Sequence, residues 1–330
     1  MPRRPFRSRS CLIAVFTTVA CVVVAARAKA QACCAASGIA TPARLAPDEL
    51  ALLGTQWKVG DELGSFDSAG QYASSPAGAS ELDFEQDIFG AARLPYRGQV
   101  ALFVPLVETR RTSLGQSEFG GGIGDVNASL RYDFTLAGGS TIVPGLAGLV
   151  GLTLPTGTPP DAPSLGPLAT GATGIGAYQI NAGVAVEQTF GPWLVSATGI
   201  AAQRTARTVG VAPNQVHERL AVQWTALVIA AYTFSSAVAL GAGVSYVVED
   251  DATIGGQPSP GTGHRLSTFT LSGILPLSDA WRLQGGLFDN LPIASLGMNQ
   301  PGGLGLFATL IASWPRASSC PTPRPVGGST

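Results

Sequence analysis

Asp125-Val126-Asn127-Ala128-Ser129-Leu130-Arg131-Tyr132-Asp133-Phe134 alternates strictly between two chemistries. Val126, Ala128, Leu130, Tyr132 and Phe134 share one face of an extended strand, while Asp125, Asn127, Ser129, Arg131 and Asp133 share the other. In a soluble sandwich the apolar face would pack inside and the charges would meet water. In a membrane barrel the apolar face meets lipid and the charges line a lumen. Neighbouring segments separate the two readings. Leu82, Phe84 and Ile88 alternate with Glu81, Asp83, Glu85 and Asp87, and Val100, Leu102, Val104 and Leu106 alternate with Gln99, Ala101, Phe103 and Pro105. The same period runs through Arg219–Val228, through Val238–Tyr246 and through the last strand, with Leu306, Ala308, Leu310, Ala312 and Trp314 on one face. Further, glycine-rich strands are expected at Thr55–Phe66, Thr141–Leu154, Ile175–Thr189, Leu194–Arg204, Leu266–Leu275 and Trp281–Phe288. The alternating segments run ~10–15 residues, longer than the ~5–6 of globular strands and long enough for a tilted membrane crossing of ~9–11.

The connections alternate as well. Short ones fall near Leu94–Gly98, Ala137–Ser140, Phe190–Trp193, Phe234–Ala237 and Pro276–Ala280. Long ones fall near Asp67–Ser80, Arg110–Gly121, Pro155–Gly171, Thr205–His217, Glu249–His264 and Asp289–Gly303. Antiparallel strands put successive connections on opposite ends, so the two ends differ, as in outer-membrane barrels with tight periplasmic turns and long outer loops. Tyr96, Tyr132, Phe134, Phe190, Trp193, Tyr232, Phe234, Trp281 and Trp314 cluster at the short-turn end, the pattern of an interfacial aromatic girdle. The expected fold is all-β: a transmembrane antiparallel up-and-down barrel of about twelve strands over residues 51–314.

The N-terminus reads as an export signal over residues 1–30: Arg3, Arg4, Arg7 and Arg9, the apolar run Cys11–Ala26, then Ala28-Lys29-Ala30 as a small-x-small cleavage site. Removing it takes six basic groups and no acidic one from totals of 20 and 21, leaving 14 against 21 and a formal charge of −7. Nucleic-acid binding needs a concentrated basic face, which this balance excludes. Residues 31–50 are not strand-like and form a periplasmic or luminal segment; the Pro-rich residues 315–330 form a disordered tail. Cys33, Cys34 and Cys320 remain after cleavage, either bridged between the two tails in the oxidising periplasm or unpaired.

Gly122-Ile123-Gly124-Asp125-Val126, then Ser129-Leu130-Arg131-Tyr132, and the strand end Leu152-Thr153-Leu154-Pro155-Thr156-Gly157 carry a family likeness. The chain resembles, over residues 50–314, the outer-membrane family named for the meta-pathway of phenol degradation. That resemblance implies a barrel of about twelve strands that takes up aromatic or other hydrophobic compounds. Gly122-x-Gly124 is no dinucleotide loop, because an alternating strand rather than a helix follows it.

Selectivity in such a barrel resides in inward polar side chains, and the candidates are Lys58, Asp83, Glu85, Asp125, Asn127, Arg131, Arg219, Gln223 and Arg282. Phe103, Leu227 and Ile229 also face inward in this reading, so the narrow lumen suits small amphipathic solutes better than ions. No catalytic residue, cofactor or metal is assigned. Two other readings stand: a barrel-anchored outer-membrane hydrolase using His217 or His264, with Glu249, Asp250 and Asp251 near the latter, and a closed structural barrel. The partners expected are outer-membrane lipid, the barrel-assembly machinery and a small hydrophobic solute, with no nucleic acid.

Overall fold

The computed structural model describes residues 44–315, apart from positions 139, 141, 211–214 and 235–237. Twelve long strands span it: β1 Glu49–Phe66, β2 Ser80–Arg93, β3 Gly98–Ser113, β4 Val126–Thr135, β5 Gly145–Leu154 and β6 Gln179–Phe190. Then follow β7 Trp193–Arg204, β8 Gln223–Thr233, β9 Ala239–Glu249, β10 His264–Pro276, β11 Trp281–Asp289 and β12 Gln300–Pro315. Each pairs antiparallel with its sequence neighbours, and β12 returns to β1 in a register from Glu49 opposite Pro315 to Phe66 opposite Gln300. The sheet therefore has no free edge, the condition under which strands can cross lipid with every backbone group bonded.

The pairing fixes which side chains point in. Leu52, Gly54, Gln56, Lys58, Gly60 and Glu62 of β1 oppose Ala91, Phe89, Asp87, Glu85, Asp83 and Glu81 of β2, and this set continues into Gln99, Ala101, Phe103, Thr109 and Arg111 of β3. The intervening residues form the outer wall, where Leu53, Leu102, Leu130, Val150, Val184, Val228, Leu240 and Leu306 are all exposed. A contiguous apolar surface of this extent is incompatible with water and is what lipid contact requires. At the turn end Tyr96, Tyr132, Phe134, Phe190, Trp193, Trp281 and Trp314 are exposed as a band. Within it Tyr132 meets Phe134, and Tyr232 meets both Trp193 and Phe234, edge to face at 4.8–5.1 Å.

The loop end differs from the sequence expectation in three respects. Arg110–Gly121 is not an open loop: β3 runs on to Ser113, turns at Leu114-Gly115 with both residues at positive φ, and returns as Gln116–Ile123. The connections after β7 and β9 build a second small sheet of Arg207–Val209, Val216–Arg219, Thr253–Ile254 and Gln257–Pro258. Arg219 belongs to that sheet, opposite Thr253, and is exposed; β8 begins only at Gln223, so Arg219 does not line the lumen. Its alternation with Leu220 and Val222 continued the period past the strand's real start. At the other end β1 starts at Glu49, ahead of the expected Thr55. The export signal, residues 31–43, the tail from residue 316 and the cysteines at 33, 34 and 320 lie outside the described residues.

Val228 sits midway along β8 and faces outward. We expect Val228→Arg to lower folding stability in lipid vesicles by about 2–4 kcal/mol. Urea titration in vesicles checks this, and an unchanged midpoint would remove Val228 from the lipid belt.

Candidate functional site in the barrel lumen

The lumen has two unlike walls. On β1–β3 the inward parity falls on charged residues. Lys58 Nζ lies 2.9 Å from Glu85 and 2.8 Å from Asp87, and 6.0 Å from the centre of the Phe103 ring. Asp87, Gln56 and Thr309 are completely buried, and Gln56 donates to the Thr309 hydroxyl at 2.7 Å. Toward the loop end Asp83 accepts from Thr109 at 2.6 Å, and Arg111 forks onto Glu81. Glu62, Glu81 and Asp83 each bring one carboxylate oxygen within 4.8 Å of the others, a spacing that a hard cation could occupy. Across this stretch five carboxyl groups (Glu62, Glu81, Asp83, Glu85, Asp87) face two cations (Lys58, Arg111), so the wall is rich in carboxyl groups.

The facing wall, β5–β9, has the same parity but, between Glu187 at the turn end and Arg204 and Glu249 at the loop end, turns mostly small and apolar residues inward, among them Ala147, Leu149, Gly183, Ile200, Leu227 and Ile229. Aromatic rings lie flat over cross-strand glycines. A Cβ on Gly54 would come within 2.4 Å of the Phe89 ring, and one on Gly305 within 2.2 Å of Phe288. Those glycines make room for rings that narrow the passage. A cavity of about 230 Å³ remains between Glu62, Asp83 and Glu85 on one side and Leu266 and Phe288 on the other. It offers carboxylates to a polar end and an apolar face to a hydrocarbon end of one small molecule.

The turn end of the lumen holds a dense ionic cluster. Arg131 bonds Asp133 at 2.8 Å and Glu187 at 3.1 Å; Arg93 lies 3.7 Å from Asp133, Arg44 pairs with Glu187 and Arg282 with Glu49. Glu49, Asp133, Glu187 and Arg282 are buried and Arg44, Arg93 and Arg131 half-buried, which is tolerable only because each is paired.

Of the sequence candidates, Lys58, Asp83 and Glu85 meet in the charged wall. Asn127 faces inward and bonds Thr153 at 2.9 Å, Arg131 and Arg282 sit in the turn-end cluster, and Gln223 faces inward 3.3 Å from His264. Asp125 sits at the rim, where its carboxylate accepts the N–H groups of Gly157 at 2.9 Å and Ile175 at 2.7 Å, tying down the loop after β5. Glu118 holds the same loop through the Leu168 N–H and the Thr170 hydroxyl, and those bonds keep its carboxyl below the usual range. That tether is intact above the ordinary glutamate range and is lost as pH falls through the lowered value. His264 lies 3.5 Å from Glu249, whose carboxylate is already held by Arg204 at 2.6 Å. Sequence reasoning did not single out Arg44, Glu49, Arg93, Asp133 and Glu187 as site residues. Parity marks Arg93 and Glu187 as inward, but no local signal says that Arg44 joins them.

No family model and no curated protein matches the chain. Among solved structures it is similar to the COG4313 outer membrane channel from Pseudomonas putida F1, with a TM-score of 0.68 at 15% identity over 82% of this chain and 97% of that one. The translocator domain of the autotransporter NalP from Neisseria meningitidis gives a TM-score of 0.49 at 12% identity, over 84% and 93% of the two chains. The first likeness shows the fold, that of an outer-membrane-type β-barrel.

Arg204 and Glu249 are both buried beneath the loop end. Arg204→Ala leaves the buried Glu249 carboxylate with only His264, 3.5 Å away, and is expected to destabilise the barrel by about 3 kcal/mol, whereas Arg204→Met with Glu249→Leu should recover most of that loss. Urea titration of the two variants checks this; equal losses would contradict it.

Proposed function

We propose that the protein is an outer-membrane channel through which small amphipathic solutes, aromatic or otherwise hydrophobic, pass passively along a narrow lumen. The observation that carries this reading is the division of the middle of the lumen into a charged wall on β1–β3 and a mostly small, apolar wall on β5–β9. A molecule with one polar and one hydrocarbon side can keep both solvated throughout the passage. A sugar loses hydrogen bonds along the apolar wall, and an anion meets the excess of carboxylates. The likeness in fold to a protein described as an outer membrane channel supports the same reading. The surrounding expectations belong to the proposal: export with cleavage after Ala30, insertion by the barrel-assembly machinery, and residence in outer-membrane lipid.

The test uses purified, heat-modifiable protein in liposomes and solutes that do not cross lipid unaided. Benzyltrimethylammonium should enter faster than arabinose, and arabinose faster than benzenesulfonate. Asp83→Asn with Glu85→Gln should reduce the preference for the aromatic cation about fivefold, since ~1 kcal/mol of attraction at ~4 Å in water is removed. Entry of none of the three from correctly folded protein would favour the closed structural barrel. Equal entry of all three would leave the two-walled lumen without a role.

A further inference from the structure

We propose that Arg44–Ala46 is a periplasmic gate, latched inside the turn end of the barrel and released to open the channel; this rests on the channel reading above. The chain enters β1 through a tight turn in which the Glu49 N–H bonds the Ala46 carbonyl at 3.0 Å. Pro47 occupies the second turn position, where its fixed φ presets the geometry. The Glu49 carboxylate closes the turn a second time by accepting the Ala46 N–H at 2.7 Å, and it is itself held by Arg282. The register irregularity between Glu49 and Ala51 lies at this same point. The residues before the turn are thereby folded back from the wall into the bore.

What they meet there is luminal. Leu45 is 3% exposed and packs in one cluster with Leu52, Phe89, Ala91, Ala101 and Ile311, every one an inward residue of β1, β2, β3 or β12. Its N–H donates to the Gln99 side chain at 3.1 Å, and Arg93 donates to the Ala46 carbonyl. Arg44 crosses to Glu187 on β6. The segment thus bridges β3 and β6 inside the turn end of the lumen. A leucine that only capped the rim would leave its side chain wet; this one is buried against the luminal face of β1–β3 and β12.

The latch is also separable from the wall. Glu187 keeps Arg131 at 3.1 Å when Arg44 leaves, so no buried carboxylate is orphaned on release. Beside the segment a cavity of about 310 Å³, bounded by Asp133, Leu136, Gly191, Trp193 and Thr233, gives it space to move toward the turns. Withdrawal of Arg44 and Leu45 needs no strand to shift.

The experiment compares the full exported chain with the Arg44→Ala/Leu45→Gly double variant in planar bilayers, after both show the folded gel shift. Each 1.4 kcal/mol of closure removed raises the open fraction about tenfold, and a rise in current of that order or more is expected. A second measurement places Leu45→Cys in a chain whose other cysteines are Ser and follows its reaction with a water-soluble maleimide. Slow labelling that Arg44→Ala accelerates supports the latch. Fast labelling in the otherwise unaltered chain, or a double variant that conducts no better than a conducting parent, overturns the gate. A parent and a double variant that both stay silent overturn the channel reading beneath it.

Discussion

Backbone amides in a hydrocarbon layer have no water to bond, and each left unpaired costs several kcal/mol. The long-range pairing of β1 with β12 answers that constraint, and the remaining features follow from it. Closure abolishes the sheet edges, makes the strand count even, and places both ends of the described chain on the side of the tight turns. It also turns one residue in two inward, so the interior chemistry is set by parity alone. A single-residue slip between β1 and β12 would put Lys58 and Glu62 into lipid, which holds the register as firmly as the hydrogen bonds do.

The interior that parity produces is uneven around the circumference. Consecutive strands share composition: β1–β3 carry acids and bases along their inward positions, whereas β5–β9 carry Gly, Ala, Ser, Thr and aliphatic residues over the middle of the bore, between Glu187 at the turn end and Gln179, Asn181, Arg204, Gln223 and Glu249 at the loop end. Because up-and-down connectivity keeps sequence neighbours adjacent in space, a bias along the chain becomes a bias across the lumen. The carboxylate excess near Lys58 and Arg111 gives way to an arginine excess at the turn end, where Arg44, Arg93, Arg131 and Arg282 meet Glu49, Asp133 and Glu187. Each of those arginines is held in place by at least one carboxylate, and Arg93 also donates to the Ala46 carbonyl.

Most of this was legible in the sequence because a membrane strand leaves a long, two-sided signature. Val126–Phe134 and Leu82–Ile88 gave their inward faces without ambiguity, and the turn-end aromatics gave the orientation. Less visible was whatever lacks a period. Arg44-Leu45-Ala46-Pro47 has no repeat, and its place in the lumen depends on pairings with Gln99 and Glu187 far along the chain. Arg219 misled for the opposite reason, since alternation continues through residues that leave the wall for the outer sheet. The hairpin at Leu114-Gly115 looked like a loop because its arms are hydrophilic above the membrane.

In the proposed channel the carboxylate-rich wall on β1–β3 governs what passes. The zero-current potential across a planar bilayer containing many inserted copies, under a potassium chloride gradient, reports this directly. The sign of a cation-selective pore is expected. An anion-selective potential would contradict it.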